Sequence, residues 1–267
     1  VIGSDRGLVL RTYKLRETSQ IVSLLAHAHG RLRLVANGSR GGRHRFGASL
    51  EVGNEIDLVF ALPPGRELGT VREATLRQAW LAGARRLEVV ATGLAVVELL
   101  DRVVPEGAQD PGLLHTGLAA LAAQRTSADR AGAVLAFLRF ELALLGQLGL
   151  QPALVGCVRC GRATGDAAWL DLRAGALVCG RCTPAGRAMR LEAPAVALLG
   201  ALASGTPPPA PPAPAARRAA GLALHRLLST HVERYQYPRA LALLKKVDTS
   251  AANRSRPGAA MHERETP

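Results

Sequence analysis

Two Cys-x-x-Cys pairs, Cys157/Cys160 and Cys179/Cys182, hold every cysteine of the 267-residue chain, with eighteen residues between the pairs. No other feature constrains the fold as tightly. A tetrahedral zinc ion takes four thiolates; one Cys-x-x-Cys turn aims two sulfurs at a point, and two such turns close the shell. The intervening "WLDL" and "ALV", on either side of Ala174 and Gly175, read as a hairpin that brings the pairs together. Gly161 and Gly180 follow or lie within the turns, where backbone amides approach the sulfurs. A redox motif wants one pair beside a βαβ unit, and here there are two pairs and no such unit. Four cysteine ligands fill the coordination sphere, so the expected Zn2+ is structural, one per chain, and does not by itself define an activity.

The N-terminal stretch "VIGSDRGLVLRTYKLRET" carries charges throughout and does not read as a signal peptide. No uncharged apolar run of about 18 residues occurs, so no membrane span is expected. A cytoplasmic protein follows, in a compartment where thiols stay reduced.

Alternating apolar and polar residues mark the first part of the chain as strands: "RGLVLRTYKL", "QIVSLLA", "GRLRLVANG", "NEIDLVFAL" and "GTVREATL". Five short strands in this length suggest a small barrel. From Trp80 the apolar period becomes helical, with Leu87, Val90, Leu94, Val97 and Leu100 or Asp101 on one stripe and Pro105 as its stop. Further helices are expected in "LLHTGLAALAAQ", "RAGAVLAFLRFELALLGQLGL", "APAVALLGALASG" and "ARRAAGLALHRLLSTHVERY". The class is therefore α+β. The expected divisions are a barrel over 1–79, a helical domain in two parts (80–152 and 186–248) around a four-cysteine module (153–185), and a disordered tail over 249–267.

The net charge is +13. Lysine occurs only at 14, 245 and 246, so coding bias explains why the bases are arginine. It does not explain 34 bases against 21 acids, which points to a polyanionic partner. Between Arg6 and Arg45 the basic residues include Arg11, Lys14, Arg16, Arg31, Arg33, Arg40, Arg43 and Arg45, and the one acid besides them is Glu17. With Leu8, Leu10, Leu32 and Leu34 filling the barrel, Arg11, Tyr13, Arg31 and Arg33 point outward. The loop "NGSRGGRHRFG" adds three arginines and Phe46. Arginine forks pair with phosphate, and Tyr13 and Phe46 are positioned to stack on bases or simply to pack. Arg217 and Arg218 form a second basic patch, suited to a second strand. Arg159, Arg162, Arg173 and Arg181 decorate the cysteine module, as phosphate contacts or as solvated surface.

Catalytic signatures are missing. There is no GxxxxGK, no GxG, no HExxH and no nucleophile elbow. Glu55 and Asp57 share a strand face, but no third carboxylate is near in sequence to complete a metal-dependent nuclease. The chain does not read as an enzyme.

The order of barrel, helices, four-cysteine module and helices resembles the RecO family of bacterial recombination mediators. "GLVLRTYKLRETSQIVSLLAHAHGRLRLVANGSRGG" looks like the family's N-terminal OB-fold, and "FELALLGQLGLQPALVGCVRCGR" like its helix leading into the zinc-binding segment. The resemblance implies an OB-fold, a helical domain and a zinc finger. It implies binding of single- and double-stranded DNA, strand annealing, and loading of recombinase onto strands coated by single-strand-binding protein (SSB) in the RecF pathway. Partners would be RecR and the acidic C-terminal tail of SSB, docked on the helical domain, in a nucleoid-associated cytoplasmic protein. The competing reading is a zinc-ribbon OB-fold protein of RNA or transcription that binds without annealing.

Overall fold

The alternating segments fold into β1 (Ile2–Lys14), β2 (Gln20–Ala26), β3 (Gly30–Ala36), β4 (Asn54–Ala61) and β5 (Leu68–Ala79). The computed structural model describes residues 2–39, 46–105, 109–164, 167–182, 186–208 and 211–244. The five strands close into a barrel in the order β1-β2-β3-β5-β4, sealed by an antiparallel β1–β4 pair. The β3–β5 pair is parallel and short, Arg33–Val35 against Leu68–Thr70. The β2–β3 hairpin turns through His27–His29 into Gly30, whose φ of 64° lies in the left-handed region that glycine enters without steric cost.

The barrel interior is filled by Val9, Val22, Leu24, Leu32, Leu34, Ile56, Leu58, Phe60 and Val71. Leu32 and Leu34 point inward as their alternation indicates. Leu8 and Leu10 do not. They lie outside the barrel with Leu25, packed on the helices. A register shift between Val9 and Arg11 breaks the alternation there. Phe46 is also inside, 6% exposed, and so is unavailable for stacking on a base.

Helices α1 (Leu87–Val103), α2 (Pro111–Thr126), α3 (Arg130–Gln147), α4 (Ala193–Ser204) and α5 (Pro214–His231) follow the periodic segments. Asp110 and Asp129 start α2 and α3 by accepting from Gly112 and Gly132 amides, and Pro111 occupies a first-turn position where no N–H is needed. Gly205, at φ 70°, ends α4. One core joins β1 and β2 to α1, α2 and one face of α3 through Leu99, Leu100, Leu114, Leu121 and Leu144. The other face of α3, carrying Leu138, Leu142 and Leu145, packs on α4, α5 and a small sheet. That two-sided burial explains why α3 is apolar nearly all round.

The small sheet consists of β6 (Ala167–Asp171), β7 (Ala176–Cys179) and β8 (Ala188–Glu192) in the order β7-β6-β8. The β6–β7 hairpin matches the expectation, and β8 adds a third strand that the sequence pattern did not reveal. No helix among the described residues is long and apolar enough to cross a membrane. Arg40, Arg43, Arg45, Lys245, Lys246 and the tail over 249–267 lie outside the described residues.

Candidate metal centre and nucleic-acid interface

The cysteine cluster hangs from the end of the small sheet. β7 runs into Cys179, and a 3-10 turn over Gly180–Cys182 delivers the second sulfur of that pair. The first pair sits on a loop tied to β7 by the amide of Val158 donating to the Leu177 carbonyl at 2.9 Å. Within the loop, Cys157 N–H donates to the Arg162 carbonyl and Gly161 N–H to the Cys157 carbonyl, both at 2.8 Å. Gly161 adopts φ 70°, which lets the turn close behind the sulfurs.

All four sulfurs lie within 4.8 Å of one another. Cys160 and Cys179 Sγ are 3.7 Å apart. A tetrahedron with metal–sulfur bonds of about 2.3 Å has edges of about 3.8 Å, so the donor set fits a thiolate-bound zinc ion. The separation is far beyond a disulfide bond of about 2.05 Å. Backbone N–H groups, that of Cys179 first, draw the Cys157 thiol down to about 6. Hydrogen bonds and like charge from Cys160 and Cys179 push Cys182 up to about 12. Four thiolates cannot coexist at this spacing on their own; a divalent cation removes that repulsion. Arg159, Arg162 and Arg181, next to the cysteines in sequence, are exposed, as are Val155 and Val158; Arg173 is exposed too, but in the β6–β7 turn at the end of the hairpin away from Cys179.

The outer face of β1–β2–β3 carries the second group of candidate residues. Register aligns Arg11, Ser23 and Arg33 across the three strands, and Tyr13, Ile21 and Val35 in the next row. Residues aligned this way share a face. The Arg11 guanidinium lies 4.8 Å from the centre of the Tyr13 ring, a cation–π arrangement that holds both side chains over the sheet. Tyr13, Lys14, Arg16 and Arg33 are exposed, with Lys14 and Arg16 at the β1–β2 connection.

Arg31 differs. Its side chain is 13% exposed and donates to Asp101 Oδ1 at 2.8 Å and to the Val104 carbonyl at 3.1 Å. Asp101, on α1 and 7% exposed, also accepts from Ser23 Oγ at 3.2 Å and more weakly from Arg11 at 3.5 Å. Arg31 therefore sits in the seam between barrel and helices, not on the open surface, and its Nε–H is buried with no partner among the described residues. The signal for this seam was present as an acid on the apolar stripe of α1, since a buried carboxylate needs donors.

Glu55 and Asp57 both pair with Arg77, at 3.6 and 3.0 Å. Among the described residues, the four cysteines are the one group of three or more side chains arranged to hold a metal.

Arg217 and Arg218 line a groove rather than a flat basic surface. The cavity, of about 830 Å³, lies between α3, α5 and the segment after α5. Val134, Phe137, Leu138, Leu222 and Leu241 make it apolar, while Arg130, Arg217 and Arg218 contribute positive charge and Glu141 a carboxyl group. Arg217 also donates to the Pro212 carbonyl. No local motif announces this groove, because its walls come from segments far apart in the chain.

Comparison with known proteins covers both halves of the molecule. The family model described as recombination protein O N terminal matches residues 2–80, and that described as recombination protein O C terminal matches residues 85–240. The chain is 35% identical over 209 residues to a DNA repair protein RecO of Nocardioides sp., covering 75% of this chain and 82% of that one. It is 34% identical over 186 residues to the DNA repair protein RecO of Cutibacterium acnes, with 68% and 74% covered. The Pelobacter propionicus protein of the same name is 34% identical over 188 residues, with 69% and 73% covered.

Proposed function

The chain belongs to the RecO family of recombination and DNA repair proteins, and we propose that it is a non-catalytic mediator of homologous recombination. It binds single- and double-stranded DNA, anneals complementary strands and helps load recombinase onto SSB-coated strands in the RecF pathway. The observation that carries this reading is the family match across both halves of the chain, barrel and helical part alike.

The physical basis starts at the barrel, which we read as an OB-fold. Annealing brings two polyanions together against their repulsion. Arg11 and Arg33 supply opposing charge on one face, with Tyr13 among them as a stacking surface, and Lys14 and Arg16 add to it from the adjoining β1–β2 connection. No bond is made or broken, so no nucleotide-hydrolysing loop is needed. Zn2+ held by Cys157, Cys160, Cys179 and Cys182 ties the module together and supplies no reaction chemistry. The groove with three arginines fits the acidic C-terminal tail of SSB, whose carboxylates meet Arg130, Arg217 and Arg218. RecR is the other expected partner, in a nucleoid-associated assembly in the cytoplasm.

Two measurements test this. Complementary oligonucleotides coated with cognate SSB should anneal rapidly on addition of the protein without ATP, and the rate should fall steeply with salt. Replacing Lys14, Arg16 and Arg33 together by glutamate should slow annealing by at least about tenfold and flatten the salt dependence, with the melting temperature little changed. Tight binding without annealing would instead favour a nucleic-acid-binding zinc protein with RNA targets. Separately, Arg217→Glu with Arg218→Glu should abolish capture of the SSB tail peptide by fluorescence anisotropy while binding of bare oligonucleotide persists.

A further inference from the structure

Glu141 lies inside the groove that receives the peptide in the reading above, and the inference rests on that reading. It is 3% exposed, on α3, one turn beyond Phe137. No hydrogen bond or ion pair to its carboxyl is found among the described residues. Burial pushes that carboxyl up to about 8, so near neutral pH it is a carboxylic acid with an O–H to donate.

The groups facing it come from every wall. Thr92 belongs to α1, Arg130 to α3 itself, and Arg217, Arg218 and His225 to α5; Arg102 of α1 acts on Tyr235. Tyr235 and Tyr237 follow α5, and both hydroxyls are raised, by burial first and by Glu141 second. The Tyr235 hydroxyl and His225 Nδ1 are hydrogen-bonded at 2.8 Å.

A peptide end entering an apolar groove brings backbone carbonyls and a terminal carboxylate away from water. Each needs a donor or costs free energy. The arginines serve the peptide's acidic side chains. We propose that Glu141 is a specificity-determining residue of this groove: as a neutral acid it donates its hydroxyl proton to a carbonyl or the terminal carboxylate of the seated acidic peptide. An ionised Glu141 would set lone pair against lone pair and repel the same ligand.

The sign follows from the direction of the shift. Below about pH 8 Glu141 is neutral and the peptide binds; above it the acid ionises and binding is lost. The test is anisotropy of an N-acetylated SSB tail peptide with the full chain from pH 6.5 to 9.5 at constant ionic strength. The peptide's carboxylates stay ionised throughout this range. Wild-type affinity should hold to about pH 7.5 and then fall about tenfold per pH unit. Glu141→Gln keeps an N–H donor and should bind within about threefold of wild type at pH 7, with no fall above pH 8. His225→Asn should retain the wild-type fall, separating the imidazole from the carboxyl. Circular dichroism at each pH checks that every variant is folded. Binding that ignores both pH and Glu141→Gln, or that strengthens as pH rises, overturns the role of Glu141 alone. Absence of tail binding at every pH overturns the groove reading and this inference with it.

Discussion

Chelation of the metal, or Cys157→Ala, is expected to unfold the cysteine lobe while the barrel and helices stay folded. The reason is the division of the core. Strands β6, β7 and β8 are anchored on the helices through Leu170, Leu177 and Leu191, which share a cluster with Leu198, Leu199 and Leu224. The cysteine lobe is tied to that cluster at its root by Leu154, while among the described residues its own buried apolar set is Val178 with Cys157 and Cys179, and Cys182 beside them. Val155 and Val158, the two valines of the loop, face solvent at 77% and 57% exposure. Thiolate zinc sites contribute about 10–16 kcal/mol of binding free energy near neutral pH, all of it available only to the folded form. Hydrogen exchange should therefore show the amides of Cys157 and Gly161, which bond within the loop, losing protection by at least about a thousandfold on metal removal. Amides of α1 to α3 should change little. Metal analysis should give one zinc per chain, released as pH falls and protons compete for the thiolates. Full retention of loop protection after chelation would mean that packing alone holds the lobe.

Asp101→Ala is expected to destabilise the protein by about 3–5 kcal/mol, because it strands a buried cation. Arg31 is 13% exposed and its strongest partner is Asp101. Arg11, at 54% exposure and 3.5 Å, contributes far less, since an exposed pair is screened by solvent. Asp101→Asn keeps an acceptor for Ser23 and Arg31 but removes the charge, and should fall between wild type and alanine. Urea unfolding followed by tryptophan fluorescence measures the loss. Trp80, next to the barrel's last strand, packs on the core that joins barrel to helices. A double-mutant cycle with Arg31→Met separates the pair from the stranded charge, and the double variant should recover much of the stability lost by Asp101→Ala. A loss below about 1 kcal/mol would mean that Leu8, Leu10 and Leu25 hold the seam without the ion pair.

These two sites mark where reading the residues in order succeeds and where it stops. The cysteine spacing announces a four-sulfur cluster because metal geometry is local: two short turns and one hairpin suffice, and the structure brings the sulfurs within 4.8 Å. The five barrel strands and the helices are equally legible, since period and capping act over a few residues. The face assignment on β1 failed for a physical reason. "GLVL" is apolar on both sides, so alternation cannot say which side is the interior. The uninterrupted run was itself the sign that a second layer covers the strand. The consequence reached Arg31, which the same alternation turned toward solvent and which the helices bury.

The sequence by itself determined the α+β class, the positions of the five barrel strands and five helices, and the cysteines that converge, because each depends on interactions between residues close in the chain. Tertiary structure alone decided which charges remain open to a polyanion and which are neutralised. Asp101 reaches Arg31 across 70 residues, and α3 and α5 meet to place Arg130, Arg217 and Glu141 around one groove. A side chain's charge is written in the sequence, but its partner and its access to water depend on packing between distant segments.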